Sequence, residues 1–131
     1  MRTRFRLTRD GDGFVARLTP AQAAAMRAAL SHVRHRDVSD LTLTLRLRLG
    51  TGRETVDALI ERLSGGHTES HDIRFHTEEL HAVHSALTTA PTMFVSREGA
   101  FLQEPFHIRL GFYRENFDAL AYGIAEAASE V

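Results

Sequence analysis

The chain has 131 residues, of which 43% are hydrophobic and 25% charged, with 16 basic against 17 acidic residues and a net charge of −1. This length and composition suit one globular domain and exclude disordered, collagen-like and fibrous classes. The absence of cysteine excludes disulfides and thiolate metal sites, and no apolar run approaches the roughly 20 residues that span a bilayer. We therefore expect a cytoplasmic protein without a membrane partner.

Arginine and acidic residues are unevenly distributed along the chain. All sixteen basic residues are arginine, which fits either the codon bias of a GC-rich bacterial genome or a selection for planar, anion-binding side chains. Residues 1–36 carry eight Arg and two Asp, a balance of +6, whereas residues 37–131 carry eight Arg and fifteen acids, a balance of −7. This asymmetry indicates a charged partner, or two oppositely charged parts of one fold that pack together.

The first eighteen residues predict a β-hairpin. Side chains alternate with the period of a half-buried strand over residues 2–7 and again over residues 14–18. Between them, residues 10–13 read Asp-Gly-Asp-Gly, which is typical of a tight turn.

Further strands are predicted in the rest of the chain. Residues 41–49 carry five Leu at alternate positions, and residues 106–110 repeat this alternation with Phe, Ile and Leu. Residues 72–76 form a short strand candidate, and residues 92–96 and 101–102 flank a turn.

Four helices are predicted between these strands. The first extends from Pro20 to about Arg34, because Thr19 and Gln22 match a capping box around Pro20. The others follow from apolar spacing of three and four residues, and they begin near residues 53, 77 and 114.

An internal repeat at a shift of 61 residues is the strongest signal in the sequence. Residues 48–59 match residues 109–120 at eight of twelve positions, including a shared Arg-Leu-Gly segment, and a weaker match lies upstream at a shift of 57. The shared residues are explained as determinants of a strand-to-helix turn and of the following helix. The alternative is a duplicated binding site at the two turns.

The repeat leads to a specific expectation for the fold. We expect an α+β protein built from a duplicated βαβα-type unit with pseudo-twofold symmetry. It would form one mixed or antiparallel sheet of about five to seven strands, with four helices packed on one face. Residues 1–131 would form a single domain, with the first half at about 1–64, a junction at 65–71 and the second half at about 72–131.

The polar residues of the expected strands share one face of the sheet, which predicts a basic binding surface. Such a surface holds carboxylates or phosphates through bidentate hydrogen bonds. Without a ligand, the same residues would simply be the solvated face of a sheet. Single-stranded nucleic acid is not expected, because the strand aromatics lie on the apolar side. The candidate binding residues are Arg2, Arg4, Arg6, Arg46, Arg48, His107 and Arg109, with the aromatics Phe112 and Tyr113 beside them.

Histidines offer a second candidate site. His67, His71, His81 and His84, with neighbouring carboxylates, match the ligand chemistry of Zn, Fe or Mn. The repeat has no matching histidines in the first half, and no H-E-x-x-H pattern is present. Ordinary solvated or half-buried histidines explain the same residues.

Catalytic signatures are absent from the sequence. No G-x-S-x-G elbow, Walker A loop or G-x-G-x-x-G fingerprint occurs. The leading hypothesis is a non-enzymatic interaction protein that binds another protein, or an acidic ligand, through the basic sheet face. Toxin-neutralising immunity proteins and other small regulatory partners of bacteria share this profile only as an analogy of size and class.

The alternative function is a small-molecule-binding or metal-dependent enzyme with its pocket between the two halves. No cofactor is expected for the leading hypothesis. A homodimer that pairs through an apolar edge strand is also compatible with the sequence.

Overall fold

The computed structural model describes residues 4–36 and 42–131, with the backbone alone at residues 42 and 43. This part of the chain forms three β-strands, six α-helices and one short 3₁₀-helix. The elements in chain order are β1 Arg6–Asp10, β2 Gly13–Leu18, α1 Pro20–Arg36, α2 Thr42–Leu49, α3 Arg53–Leu63, β3 His71–His76, α4 Thr77–Thr89, the 3₁₀-helix Ala90–Met93, α5 Gln103–Leu110 and α6 Arg114–Ser129.

The sheet has three antiparallel strands in the order β1-β2-β3. The hairpin predicted from the first residues is confirmed, with Thr8 opposite Val15 and a turn at Gly11, whose φ is +62°. Strand β3 pairs with the other edge of β2, so that Phe14 lies opposite Phe75. The expected sheet of five to seven strands with four helices is wrong.

Helix α1 begins as its sequence predicts. The Thr19 backbone N–H donates to Oε1 of Gln22 at 3.0 Å, and the Gln22 N–H donates to the Thr19 hydroxyl at 3.1 Å. This reciprocal pair satisfies donors that the first turn of a helix otherwise leaves free. Gln22 is buried and also donates to the Arg4 carbonyl at 3.1 Å, which ties the helix to the start of the sheet.

The two alternating segments predicted as strands are helices α2 and α5. A side-chain alternation with a period of two also places apolar residues four apart, which is the spacing of one helix face. In α2, Leu45 and Leu49 are buried while Leu47, midway between them, is 83% exposed. In α5, Phe106 is buried and Ile108 is 74% exposed. Leucine and arginine favour helix over strand, so both propensity and burial override the alternation.

The Gly shared by the repeat ends a helix rather than a strand. Gly50 follows α2 with φ +75°, and Gly111 follows α5 with φ +77°. Each glycine N–H donates to a carbonyl four residues earlier, on Arg46 at 2.7 Å and on His107 at 2.8 Å. A left-handed glycine closes the C-terminus of a helix in this way.

The remaining predicted hairpin, at residues 92–96 and 101–102, is reduced to a single bridge between Val95 and Phe101. The preceding residues form the 3₁₀-helix Ala90–Met93, which continues directly from α4. Pro91 lies at its start, where it lacks the N–H that a strand would need.

The helices pack across the two halves of the chain on a single core. Helix α3 packs on α1 and α6 packs on α4, while α2 packs on α4 and α5 packs on α1. Because the short helix of each half contacts the long helix of the other, the buried side chains form one continuous cluster. No helix in the described residues is long and apolar enough to cross a membrane.

Candidate functional site

The expected basic sheet face does not form. Arg6 lies on the exposed face of β1 and Arg4 just before it, whereas Arg2 lies outside the described residues. The other members are on α2 and α5, since those segments are helices. The exposed face of the sheet is instead internally paired: Arg17 contacts Asp72 at 3.4 Å, and the Arg74 guanidinium contacts both Asp10 and Asp12.

Helix α2 presents an outward triplet of two basic residues around one apolar residue. Leu45 and Leu49 point into the core and fix the orientation of the helix. This leaves Arg46, Leu47 and Arg48 exposed on the opposite side. Leu47 is the most exposed large hydrophobic residue in the described part of the chain, and neither arginine forms an ion pair there.

Helix α5 presents the equivalent triplet. Phe106 is fully buried and contacts Phe117 edge to face, with ring centroids 5.2 Å apart. His107 is then half-buried, and Ile108 and Arg109 are exposed. At a shift of 61, these three residues match Arg46, Leu47 and Arg48 of α2.

The first member of each triplet folds over the turn that follows its helix. An Arg46 guanidinium nitrogen lies only 3.0 Å from where a Cβ on Gly52 would be. His107 stacks on Tyr113, with centroids 4.2 Å apart and planes 5° apart. Gly52 and Tyr113 are 61 residues apart, so the two contacts occupy corresponding positions in the repeat. We name the two surfaces, residues 46–48 and residues 107–109, the docking triplets.

The two aromatics predicted as binding residues differ in their surroundings. Tyr113 is half exposed, and one face of its ring is covered by His107. Phe112 is partly buried and packs against the core beside Phe117, with ring centroids 5.9 Å apart. Phe112 therefore contributes to packing, whereas Tyr113 extends the surface of α5.

The arginines of the docking triplets differ electrostatically from those elsewhere. Arg46, Arg48 and Arg109 form no ion pair with any described residue. Five other arginines each pair with a carboxylate, namely Arg17, Arg34, Arg62, Arg74 and Arg114. The unpaired cations are thus concentrated where the apolar side chains are also exposed.

The four candidate metal ligands separate into two pairs. His67 and His71 stack with centroids 3.6 Å apart near the start of β3. On α4, His81 lies beside Gly50, and burial together with the neighbouring His81 lowers the pKa of His84. Across residues 4–36 and 42–131, no three His, Asp or Glu side chains are grouped so that they could hold a metal ion.

A serine and a histidine also meet on α4. The Ser85 hydroxyl lies 3.3 Å from Nε2 of His81, one helical turn away. Within the described chain no carboxylate hydrogen-bonds to that ring, so the third group that orients a catalytic histidine is missing. The pair is explained as a surface hydrogen bond between side chains four residues apart.

One feature escaped the sequence analysis: a groove between α1 and α5. It is lined by basic residues of both helices, and the buried His32 forms part of its wall. The spacing of Arg27, Ser31 and His35 on one face of α1 could have indicated its α1 side. Its other side depends on α5, which the alternation of residues 106–110 disguises as a strand.

Comparisons with known proteins give no assignment. No protein-family model, no curated protein and no solved structure matches this chain.

Proposed function

We propose that this protein is a non-enzymatic interaction protein that binds an acidic protein partner through the docking triplets on α2 and α5. The observation that carries the proposal is the exposure of Leu47 and Ile108 at matching positions, each flanked by basic side chains. Large apolar residues held in water at two corresponding places indicate surfaces that a partner covers.

The chemistry of the triplets defines the partner. Burying one aliphatic side chain of this size contributes about 1.5–3 kcal/mol. A carboxylate placed on either side of it would form charge-assisted hydrogen bonds with Arg48 or Arg109. Since these arginines have no acidic neighbour to lose, binding would not break an existing ion pair. The matching partner element is an apolar side chain between acidic residues.

Duplication of one unit would account for the two triplets, and we include it in the proposal. Helices α2 and α5 both have eight residues and begin 61 residues apart, as do α3 and α6. Each half then reads as strand, long helix, short helix, glycine turn and helix. This order replaces the βαβα unit expected from the sequence, and it favours a partner that carries two copies of its binding element.

A defined peptide tests the proposal by NMR. The probe is a synthetic pentapeptide with Leu between two pairs of Glu, and its control has Lys in place of every Glu. We expect saturable shifts of backbone amides at residues 44–49 and 106–111 with the acidic probe alone. Leu47→Ser should remove the response of α2, and Ile108→Ser that of α5.

Charge variants provide the matched control. Arg48→Glu with Arg109→Glu should weaken binding of the acidic probe at least about tenfold, because attraction becomes repulsion. Arg97→Glu makes the same kind of charge change in an exposed turn and should leave binding almost unchanged. Equal responses to both peptides, or shifts confined to other surfaces, would refute the proposal. Shifts of α2 and α5 that depend on protein concentration alone would assign the triplets to a second copy of this chain.

A further inference from the structure

The groove between α1 and α5 is a separate feature from the docking triplets, although Arg109 belongs to both. Its volume is about 320 Å³. Helix α1 contributes Arg27, Ser31, His32 and His35, and α5 contributes Arg109 and Leu110. A space of this size accommodates a small organic ligand.

The groove has basic side chains and no acidic ones. None of its lining residues is Asp or Glu, and Arg27 and Arg109 form no ion pair with any described residue. The cleft beside β3 is a contrast, because Arg62 and Arg74 there share the lining with Asp72 and Glu79. Positive charge in the α1–α5 groove is therefore not compensated by the described residues around it.

A buried imidazole with an unused nitrogen lies in the wall of the same groove. His32 is only 5% exposed and stacks on Phe94, with ring centroids 4.8 Å apart. Its Nε2 has no hydrogen-bond partner among the described residues. A buried polar atom without a partner is costly in a folded protein and often marks a position that a ligand satisfies.

The electrostatics at His32 agree with this geometry. Burial lowers the pKa of His32 to about 4, and the positive charges of Arg36, Arg109 and His35 lower it further in the same direction. The ring is therefore neutral at pH 7 and carries one N–H. An anion in the groove would offset the surrounding charge and accept this N–H.

We propose that the α1–α5 groove binds a small ligand with a carboxylate or phosphate group, held by Arg27 and Arg109 beside the His32 ring. Both arginines are exposed and free to turn toward the ligand. Guanidinium groups match the planar geometry of two anionic oxygens. The apolar lining, which includes Leu110, leaves room for a small non-polar part of the ligand.

NMR titration with inorganic phosphate and, separately, acetate at constant ionic strength tests this inference. We expect saturable shifts of the His32 ring protons and of nearby α1 and α5 amides with at least one anion. The tighter anion identifies the ligand group as phosphate or carboxylate. Arg27→Gln and Arg109→Gln should each weaken binding about tenfold, whereas Arg97→Gln should change it less than about twofold.

Failure of this inference and failure of the proposed function can be distinguished. Ile108→Ser should leave anion binding intact while removing the α5 response to the acidic peptide, and Arg27→Gln should do the reverse. Shifts that grow linearly with both anions, or that are the same in the Arg27→Gln and Arg97→Gln variants, would overturn the groove as a site. Circular dichroism of each variant confirms that its fold is retained.

Discussion

At the scale of single residues, His32 links stability to the groove. The imidazole is buried against Phe94, and its pKa is lowered to about 4 in the folded protein from 6.5, chiefly by burial. The unfolded chain therefore binds a proton that the folded chain excludes between these two values. Stability is fully present above pH 6.5 and is lost progressively as the pH falls toward 4.

Replacement of His32 should reduce this pH dependence. In His32→Phe the ring contact with Phe94 is retained while the titrating group is removed. We expect a smaller difference in the free energy of unfolding between pH 7 and pH 4.5 than in the wild type, measured by urea denaturation. His35→Gln, at an exposed position on the same helix, is the control and should keep the wild-type pH dependence. An unchanged dependence in His32→Phe would show that other groups cause it.

At the scale of elements, the glycine turns after α2 and α5 are similar in backbone and different in surroundings. Gly111 has φ +77° and open space around the position of a Cβ. Gly50 has φ +75°, and a Cβ there would lie 3.0 Å from Cδ2 of His81. An alanine is strained by the positive φ at both positions, but only at Gly50 must a neighbouring side chain also move.

We therefore expect Gly50→Ala to destabilise the protein more than Gly111→Ala. The second should cost about 1 kcal/mol, which is typical for a non-glycine residue in a left-handed conformation. Gly111→Asn should cost less, since asparagine tolerates this region better. Chemical denaturation of the three variants measures the order. Equal losses for the two alanine variants would indicate that His81 moves aside without cost.

The same elements show what the sequence could and could not specify. The hairpin, the cap of α1 and the apolar spacing of α3, α4 and α6 depend on contacts within a few residues, and they are correct. The segments 41–49 and 106–110 are wrong because every second Leu is compatible with a strand and with one face of a helix. Only the burial of Leu45 against α4, with Leu47 left in water, decides between them.

That error also determined which part of the candidate site was predictable. Arg46, Arg48, His107 and Arg109 were chosen for their shared position in the repeat, and they do occupy corresponding places on two helices. Their assignment to a sheet was wrong, and so was the contiguous basic face with Arg6. The groove around His32 needed the tertiary contact between α1 and α5, which no local pattern contains.

At the scale of the whole molecule, one partly buried ion pair joins the two halves of the chain. Arg62 of α3 donates to both carboxylate oxygens of Glu79 in α4, at 3.2 and 2.7 Å, and also to the Arg74 carbonyl at 2.8 Å. Burial alone would raise the pKa of Glu79, which is 7% exposed. The bonds from Arg62 and from the His76 backbone N–H, with the charge of Arg62, reverse this and hold the pKa below 4.5. The carboxylate is therefore charged at neutral pH.

A double-mutant cycle should detect this connection. We expect Arg62→Gln and Glu79→Gln each to lower the free energy of unfolding by about 1–3 kcal/mol at pH 7, with a coupling of about 1 kcal/mol or more. The exposed pair Arg17–Asp72, also between the halves and 3.4 Å apart, is the matched control, and its coupling should be well under 1 kcal/mol.

The same unfolding curves test whether the halves act as one unit. Because α2 packs on α4 and α5 packs on α1, neither half can bury its core without the other. All variants should therefore unfold in a single transition with the wild-type denaturant dependence, as a shared core requires. Two transitions in Glu79→Gln would mean that each half folds separately, and the ion pair would then be a contact between independent units rather than part of one cooperative structure.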